Sequence, residues 1–315
     1  MPTKKTLLLG FHACKVWNMD LRHLRYFIAV AEEGSLTVAA SRRLHVAQPS
    51  LSRQMRDLEI ELGCALMTRG VKGIELTAAG RVFLDHARGV LLQVEAAKEA
   101  TRRAAVPAKA SFVIGFLTGY EFEWLPAVMR ILRDELPNAE IVILSQSSIE
   151  LADGLMRSKI DLAFMRRERN ARGLVFTRLI DEPLIVLMPA GHRLAALDSI
   201  APNDISGEPL VGVPYDKSPA LRAVTDAYAK KIGMDLTPDH LVDNLSMAMS
   251  LVASTGGVAL MPLYARNLLP PTVISKPLAG APPMIDLSLA YSEANTSPIL
   301  KTVASRVGDL KFQGS

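Results

Sequence analysis

Gln48, Pro49, Ser50 and Arg53 fall close together in the first quarter of the chain, and three of these residue types read DNA. Gln and Arg make paired hydrogen bonds to purine edges in the major groove, while Ser reaches bases or phosphates. On a helix, Gln48 and Pro49 would form its tip. Ser50, Arg53 and Asp57 would face away from Leu51, Met55, Leu58 and Leu62, whose spacing defines a buried stripe. Arg69 and Lys72 then occupy a basic turn, Arg69-Gly-Val-Lys-Gly-Ile-Glu-Leu76, suited to tracking phosphate or entering the minor groove. A second group has different chemistry. Thr118, Ser147, Ser148 and Arg166 each follow an apolar run, and hydroxyls, a helix N-terminus and a guanidinium together suit a carboxylate. Val213, Pro214 and Asn244 are the candidates facing them. Helix capping competes with ligand binding at two of these residues, because Thr118-x-x-Glu121 and Ser147-x-x-Glu150 both read as capping boxes. Arg166 opens Arg166-Arg-Glu-Arg169, which solvent alone would explain.

The first group needs three helices to hold it. Leu24, Phe27, Ile28 and Ala31 form one apolar face closed by Gly34, and Ser35 N-caps a second helix carrying Leu36, Ala39, Ala40 and Leu44. After the turn His45-Val46-Ala47, Gln48-Pro49 opens a third helix with proline at its first position, where a missing N–H costs nothing. Ala39 and Ala40 allow a close crossing, as a helix-turn-helix requires. A three-helix bundle with a merely solvated polar face is the alternative; the proline-opened helix and the wing-like basic turn favour DNA reading. Ser35, Gln48, Pro49, Ser50, Arg53, Arg69 and Lys72 are therefore the DNA-binding candidates.

From Thr77 to Arg103 the pattern is one long helix. Phe83, Ala87, Val90, Val94, Ala97, Thr101 and Ala104 alternate steps of four and three, a heptad seam, and Arg81, Asp85, Arg88, Glu95 and Lys98 lie off it. The seam suits either self-association or packing on the chain's own sheet. Beyond Arg102-Arg-Ala-Ala-Val-Pro-Ala108 the period changes. Strands at Ser111–Leu117, Glu140–Leu144 and Ile160–Met165 alternate with helices at Glu123–Leu136 and Glu150–Arg157, which predicts a parallel α/β sheet. The alternation continues through Pro183–Met188, Leu210–Val213, helices at Pro219–Lys231 and Leu245–Ala253, then Gly257–Met261 and Ile285–Ala290.

Composition agrees. The chain has 315 residues, 49% hydrophobic and 22% charged, enough for about two packed domains. Its net charge of +4 is concentrated at the front: residues 1–18 carry three basic and no acidic side chains, and 19–106 carry thirteen against ten. Only Pro2 and Pro49 precede Pro107 among the 19 prolines. Two cysteines, Cys14 and Cys64, exclude a disulfide framework and a four-thiolate zinc site. With no apolar run long enough to span a membrane and no convincing signal peptide, the expectation is a soluble, cytoplasmic protein.

Residues 19–80 closely resemble the N-terminal domain of LysR-type transcriptional regulators. The resemblance rests on Leu21-Arg-His-Leu-Arg-Tyr-Phe27, Gly34-Ser-Leu-Thr-Val-Ala-Ala40, Leu44-His-Val-Ala-Gln-Pro-Ser-Leu-Ser-Arg-Gln54, Leu58-Glu59, Glu61-Leu-Gly63, Arg69 and Leu76-Thr-Ala-Ala-Gly80. The later elements match in order, so it extends to about Leu310. The family usually has Leu-Phe where this chain has Leu66-Met67. Residues 1–18 precede the Met19 at which members commonly begin, and read as a disordered arm or an over-extended start.

The resemblance implies an α/β chain in three parts. A winged helix-turn-helix over 19–76 is followed by a linker and dimerisation helix over 77–106. A two-lobed effector domain like periplasmic binding proteins covers 107–315, with lobe I at about 111–181 and 284–310 and lobe II at about 182–283. It implies double-stranded operator DNA, a small-molecule effector in the cleft and RNA polymerase as partners, self-association as a dimer of dimers, and no cofactor. The strand-end residues favour a small organic acid, with Phe116, Leu117, Val213 and Pro214 suited to a flat or aliphatic body behind its carboxylate, and the resemblance to regulators of aromatic catabolism favours an aromatic acid.

Enzymatic readings find little support. The six histidines form no metal-type pair, no G-x-S-x-G elbow exists, and Ser254-Thr-Gly-Gly257 lacks the lysine of a phosphate loop. A transport binding protein needs a signal peptide and no DNA reader, and a nonspecific DNA-coating protein needs more charge than the front of the chain carries.

Overall fold

The computed structural model describes residues 19–70, 73–105, 111–168, 171 and 173–310. These fall into two compact units divided between Glu95 and Ala96, inside a long helix. The extension 1–18, Lys72, the junction at Val106–Ala108 and Arg169 lie outside the described residues, as do the side chains of Arg69 and Ala104.

In the first unit, α1 (Leu21–Glu33) starts at Asp20, whose carboxylate accepts the N–H groups of Arg22 and His23 at 2.9 and 3.1 Å. It ends at Gly34 in the left-handed conformation. Ser35 caps α2 (Leu36–Val38) by accepting the Val38 N–H at 3.4 Å, and the helix continues as a π-helical stretch, Ala39–Leu44, stopped by left-handed His45. Helix α3 (Gln48–Leu62) has Ala47 as its N-cap. Pro49 is thus the second helical residue, one place later than expected, and that position also has no intrahelical acceptor for an N–H. Leu51, Met55 and Leu58 pack with Phe27, Val30, Ala39, Ala40 and Leu66 in one core.

Strands β1 (Met67–Gly70) and β2 (Gly73–Leu76) form the antiparallel wing, Met67 opposite Leu76. Glu59 holds its base by accepting the Leu66 and Met67 N–H groups at 2.8 and 3.1 Å. At its far side the Ile74 N–H donates to the Gly34 carbonyl at 2.8 Å. Gly73, at φ +129°, permits this approach: a Cβ there would lie 2.5 Å from that carbonyl oxygen. Helix α4 (Ala78–Ala105) follows. Its first half packs on α1, with Phe83 edge-on to Phe27 at 5.0 Å between centroids and Ala87 buried with Leu24 and Ile28. Val90, farther along the same heptad seam, is exposed.

The second unit begins with β3 (Ser111–Leu117), α5 (Glu121–Glu135), β4 (Glu140–Gln146), α6 (Ser148–Met156) and β5 (Leu162–Met165). Strand β3 lies between β4 and β5 and is parallel to both, as the alternation predicts. The rest of the sheet departs from that prediction. Strand β6 (Leu174–Pro189) is one 16-residue strand where the sequence suggested only Pro183–Met188. It pairs antiparallel with β11 (Met284–Ser292), which itself runs antiparallel to β5, so the sheet is mixed rather than parallel. The second half of β6 pairs with β9 (Ala259–Pro262) and β10 (Val273–Pro277). Between them the chain forms β7 (Val211–Gly212), α7 (Pro219–Ile232), β8 (His240–Leu241) and α8 (Leu245–Thr255). Helix α9 (Pro298–Gly308) returns to pack against α5.

Two lobes result, each with its own core. Phe116, Trp124, Phe164 and Leu289 centre lobe I, whereas Leu184, Val186, Val252 and Val258 centre lobe II. Phe116 stacks on Phe164 at 4.7 Å and is fully buried, so it serves the core and not a ligand surface.

Candidate functional site

Helix α3 presents two unlike faces. Leu51, Met55 and Leu58 are buried, while Pro49, Ser50, Arg53 and Arg56 are exposed and Gln48 is half-buried. The Arg53 side chain is 83% exposed and its Nε lies 4.0 Å from the Asp57 carboxylate, a contact too long to hold it. It can exchange that neighbour for a phosphate or a base edge at little cost. Arg56, one turn beyond Arg53, was not singled out from sequence, although its i+3 spacing places it beside Arg53. Arg43, by contrast, is tied to Glu32 at 2.5 Å, and Glu32 also accepts from Arg88 at 2.5 Å. Those two arginines brace the unit. Ser35 is occupied as a cap.

In the second unit the ends of β3 and β5 and the start of α6 bring several predicted residues together. Ser147 caps α6: its Oγ accepts the Glu150 N–H, and the Glu150 carboxylate accepts the Ser147 N–H at 2.9 Å. Ser148 is buried, and its Oγ accepts the Arg166 N–H at 3.0 Å, fixing α6 to the end of β5. Thr118 is exposed and forms no capping box, because α5 starts later, at Glu121. Instead its N–H donates to Gln146, its Oγ1 accepts from Ser145 at 3.1 Å, and the Glu121 carboxylate takes the Gly119 N–H at 2.7 Å. On lobe II, Val213 and Pro214 are half-buried, and exposed Asn244 caps α8 by accepting the Met247 N–H at 2.9 Å.

Arg166 corrects the expectation. Its side chain is 3% exposed and is not part of a solvated run. Its Nη2 donates to Glu182 at 2.9 Å and to the Tyr120 hydroxyl at 2.6 Å, and its Nη1 donates to the Asp286 carbonyl at 2.6 Å. The Tyr120 hydroxyl also donates to Glu182, whose other oxygen accepts the Tyr264 N–H at 2.7 Å. The Tyr120 and Tyr264 rings stack at 4.1 Å, and Gly119 leaves room for them: a Cβ there would lie 2.6 Å from the Tyr264 ring. Burial pushes the Glu182 carboxyl up and the Arg166 guanidinium down, because each loses hydration when charged. Sequence reasoning missed Glu182, Tyr120 and Tyr264. They are isolated polar residues beside apolar runs, and only the antiparallel return of β11 and β6 gathers them around Arg166.

Two further interactions link the lobes. Lys217, just ahead of α7, acts electrostatically on Glu150 in the first turn of α6. Glu168, just past β5, faces the Ala220 N–H in the first turn of α7. The ends of β3 and β5 and the start of α6 thus form one wall, and the stretch from Pro214 to Ala220 forms part of the other. Such a crevice, outside the carboxyl ends of parallel strands, is where α/β sheets bind ligands. Among the described residues no group of three or more His, Cys, Asp or Glu could hold a metal, and no helix is long and apolar enough to cross a membrane.

Comparison with known proteins identifies both units. The family described as bacterial regulatory helix-turn-helix protein, lysR family, matches residues 21–81, and the LysR substrate binding domain matches residues 107–309. The chain belongs to the LysR family of transcriptional regulators. The Hca operon transcriptional activator HcaR of Escherichia coli is 34% identical over 283 residues, 90% of this chain and 95% of that protein. The HTH-type transcriptional regulator AlsR of Bacillus subtilis is 31% identical over 283 residues, 90% and 93% of the two chains. Among solved structures, full-length CbnR complexed with its target DNA has a TM-score of 0.53 at 26% identity and covers 92% of this chain and 98% of its own. The protein is therefore a DNA-binding transcriptional regulator with an effector-binding domain, and its relatives are regulators rather than enzymes.

Proposed function

We propose that this LysR-family regulator reads a palindromic operator with Gln48, Pro49, Ser50 and Arg53 of α3. Ser35 and the wing residues Arg69 and Lys72 would contact the backbone. The observation that carries this is the free polar face of α3, whose arginine has no firm partner while Arg43 and Arg88 are engaged. Two such heads need a twofold partner, which the seam on α4 would supply through Val90 and Val94; the dimer-of-dimers assembly, the RNA polymerase partner and the cytoplasmic location belong to the same proposal.

The signal is a small organic acid held in the interlobe cleft. Arg166 is committed to Glu182, and the Ser147 N–H and hydroxyl both donate to Glu150 at 2.9 and 2.8 Å. The carboxylate therefore falls to the Thr118 and Ser148 hydroxyls and to the N–H groups of the first turn of α6 that the Ser147 cap leaves over, with Ser147 shaping the site as that cap. Arg166 then acts as a positioning residue that holds Ser148 through its backbone. Val213 and Pro214 would cover the apolar body, with Asn244 at the margin. The test is a fluorescence titration of labelled operator with the full chain and its Arg53→Ala variant. A loss of about 1–3 kcal/mol that is larger for the operator than for random duplex supports base reading. Unchanged operator affinity in a folded variant refutes it. Calorimetric titration with benzoate, with Ser148→Ala as the control, tests the cleft.

A further inference from the structure

Glu168 has an unusual position. It is 9% exposed, yet no described residue donates a hydrogen bond to its Oε2. A buried acceptor without a partner costs roughly 1–3 kcal/mol and therefore calls for an explanation. The residue lies two places beyond Arg166, whose N–H is bonded to Ser148, so its Cα lies at most roughly 7 Å from that of Arg166. Across the cleft it faces the Ala220 N–H at the N-terminus of α7, a 14-residue helix whose N-cap, Ser218, makes no side-chain capping bond.

We propose that Glu168 is a specificity-determining residue of the effector cleft: its orphaned oxygen accepts a hydrogen bond from a hydroxyl or amine on the effector, and its charge rejects a second anionic group there. This rests on the organic-acid reading of the cleft. It narrows the ligand to a monoacid about one ring long, with its carboxylate at the start of α6 and a donor at the far end. The donor requirement follows from satisfiability. A carboxylate accepts only, the Ala220 N–H serves one side of it, and the remaining oxygen is shut away from water. A site built to bond a donor rejects analogues that lack one, because the buried acceptor is then left bare. Burial holds the carboxyl up at about 7, against the pull of Arg166 and the Ala220 N–H and with a small push from Asp286. A second anion close by would push it higher and pay for that in affinity.

The experiment is isothermal calorimetry on the full chain at pH 8 with four probes: benzoate, 3-hydroxybenzoate, 4-hydroxybenzoate and terephthalate. At least one hydroxybenzoate is expected to bind tenfold or more tightly than benzoate, and terephthalate at least tenfold more weakly. In Glu168→Leu both differences should shrink below threefold. Glu168→Gln, which keeps an acceptor and loses the charge, should retain most of the hydroxyl preference while terephthalate rises to the level of benzoate. If Glu168→Leu does not fold, as judged by circular dichroism, the terephthalate gain in Glu168→Gln decides alone. Equal binding of benzoate and both hydroxybenzoates by the wild type overturns the proposal and leaves the organic-acid reading standing. Binding of none of the four overturns both.

Discussion

Replacing Glu182 with Ala strips the counter-charge from Arg166, whose side chain is 3% exposed. It also removes the acceptor of the Tyr120 hydroxyl and of the Tyr264 N–H. Removing one partner of a buried pair costs about 3–5 kcal/mol, chiefly because the other charge is left uncompensated. The bare Tyr264 N–H puts the expected loss toward the upper end of that range. For a domain of this size each kcal/mol lowers the midpoint by roughly 2–4 °C, so the melt should fall by roughly 6–20 °C. Replacing both partners with apolar residues of similar volume, as in Arg166→Met with Glu182→Leu, removes the charge and its penalty together and should recover most of the loss. The assay is thermal unfolding of the full chain followed by circular dichroism, on the wild type, the single variant and the double. A single-variant loss below about 1 kcal/mol, or a double variant as unstable as the single, would refute the account of Arg166 as a buried, paired charge.

Four further outcomes are expected. Gly80→Ala would set a Cβ 2.0 Å from the Leu66 carbonyl oxygen, between backbones that cannot yield; urea denaturation should show at least about 1–3 kcal/mol lost, the range for overpacking. If α4 mediates a dimer as proposed, Val90→Asp with Val94→Asp should dissociate it in sedimentation and abolish operator binding with it. Arg56→Ala, beside Arg53 on the exposed face of α3, should weaken operator and random duplex alike and flatten the salt dependence if it contacts phosphate. Because burial raises the Glu168 carboxyl to about 7, the stability it confers is complete below its ordinary range near 4.5 and is lost as pH rises through 7. Glu168→Gln should make that decline shallower in melts taken between pH 4.5 and 8, leaving the share of Glu182, whose carboxyl burial also raises to about 7.

The front of the chain was legible because its instructions are local. Ser35, the Gln48-Pro49 opening and the Leu51, Met55, Leu58 stripe each act within one or two turns of helix, and the observed elements begin within a residue of where those signals place them. The wing was readable for the same reason, although its anchor was not. That a Cβ at residue 73 would lie 2.5 Å from the Gly34 carbonyl oxygen depends on a contact between residues 39 positions apart. In the second unit, parallel β3, β4 and β5 alternate with helices and could be read directly. Strand β6 could not. Its first half, Leu174-Val-Phe-Thr-Arg-Leu-Ile-Asp-Glu182, is interrupted by Arg178, Asp181 and Glu182, which resemble a loop in sequence. Pairing with β11 is what makes it a strand. The cleft residues divide along the same line: Ser147 announced its capping box through Glu150, whereas the ties of Ser148 and Arg166 appear only once β5 is docked.

The place where β6 changes partners explains why its polar residues survive in a strand. Up to Pro183 it pairs with β11 of lobe I, and from Leu184 it pairs with β9 of lobe II, so Glu182 stands at the crossing. One carboxylate oxygen serves Arg166 on the lobe I side, and the other accepts the N–H of Tyr264 on the lobe II side. A change in the angle between the lobes must lengthen one of these bonds or carry Glu182 along with one lobe. Because the group is buried, no water stands ready to replace a lost partner, and a half-broken arrangement is costlier than either complete one. An apolar residue at this position would let the lobes slide through a continuum of angles. A carboxylate bonded on both sides would restrict them to discrete settings, and a ligand in the cleft would shift the balance between such settings only by contacting them differently. On this account the buried Arg166–Glu182 pair would fix lobe geometry more than it adds net stability, so the double apolar variant, which still leaves the Tyr264 N–H bare, should regain most of the lost melting temperature while its response to a cleft ligand is lost.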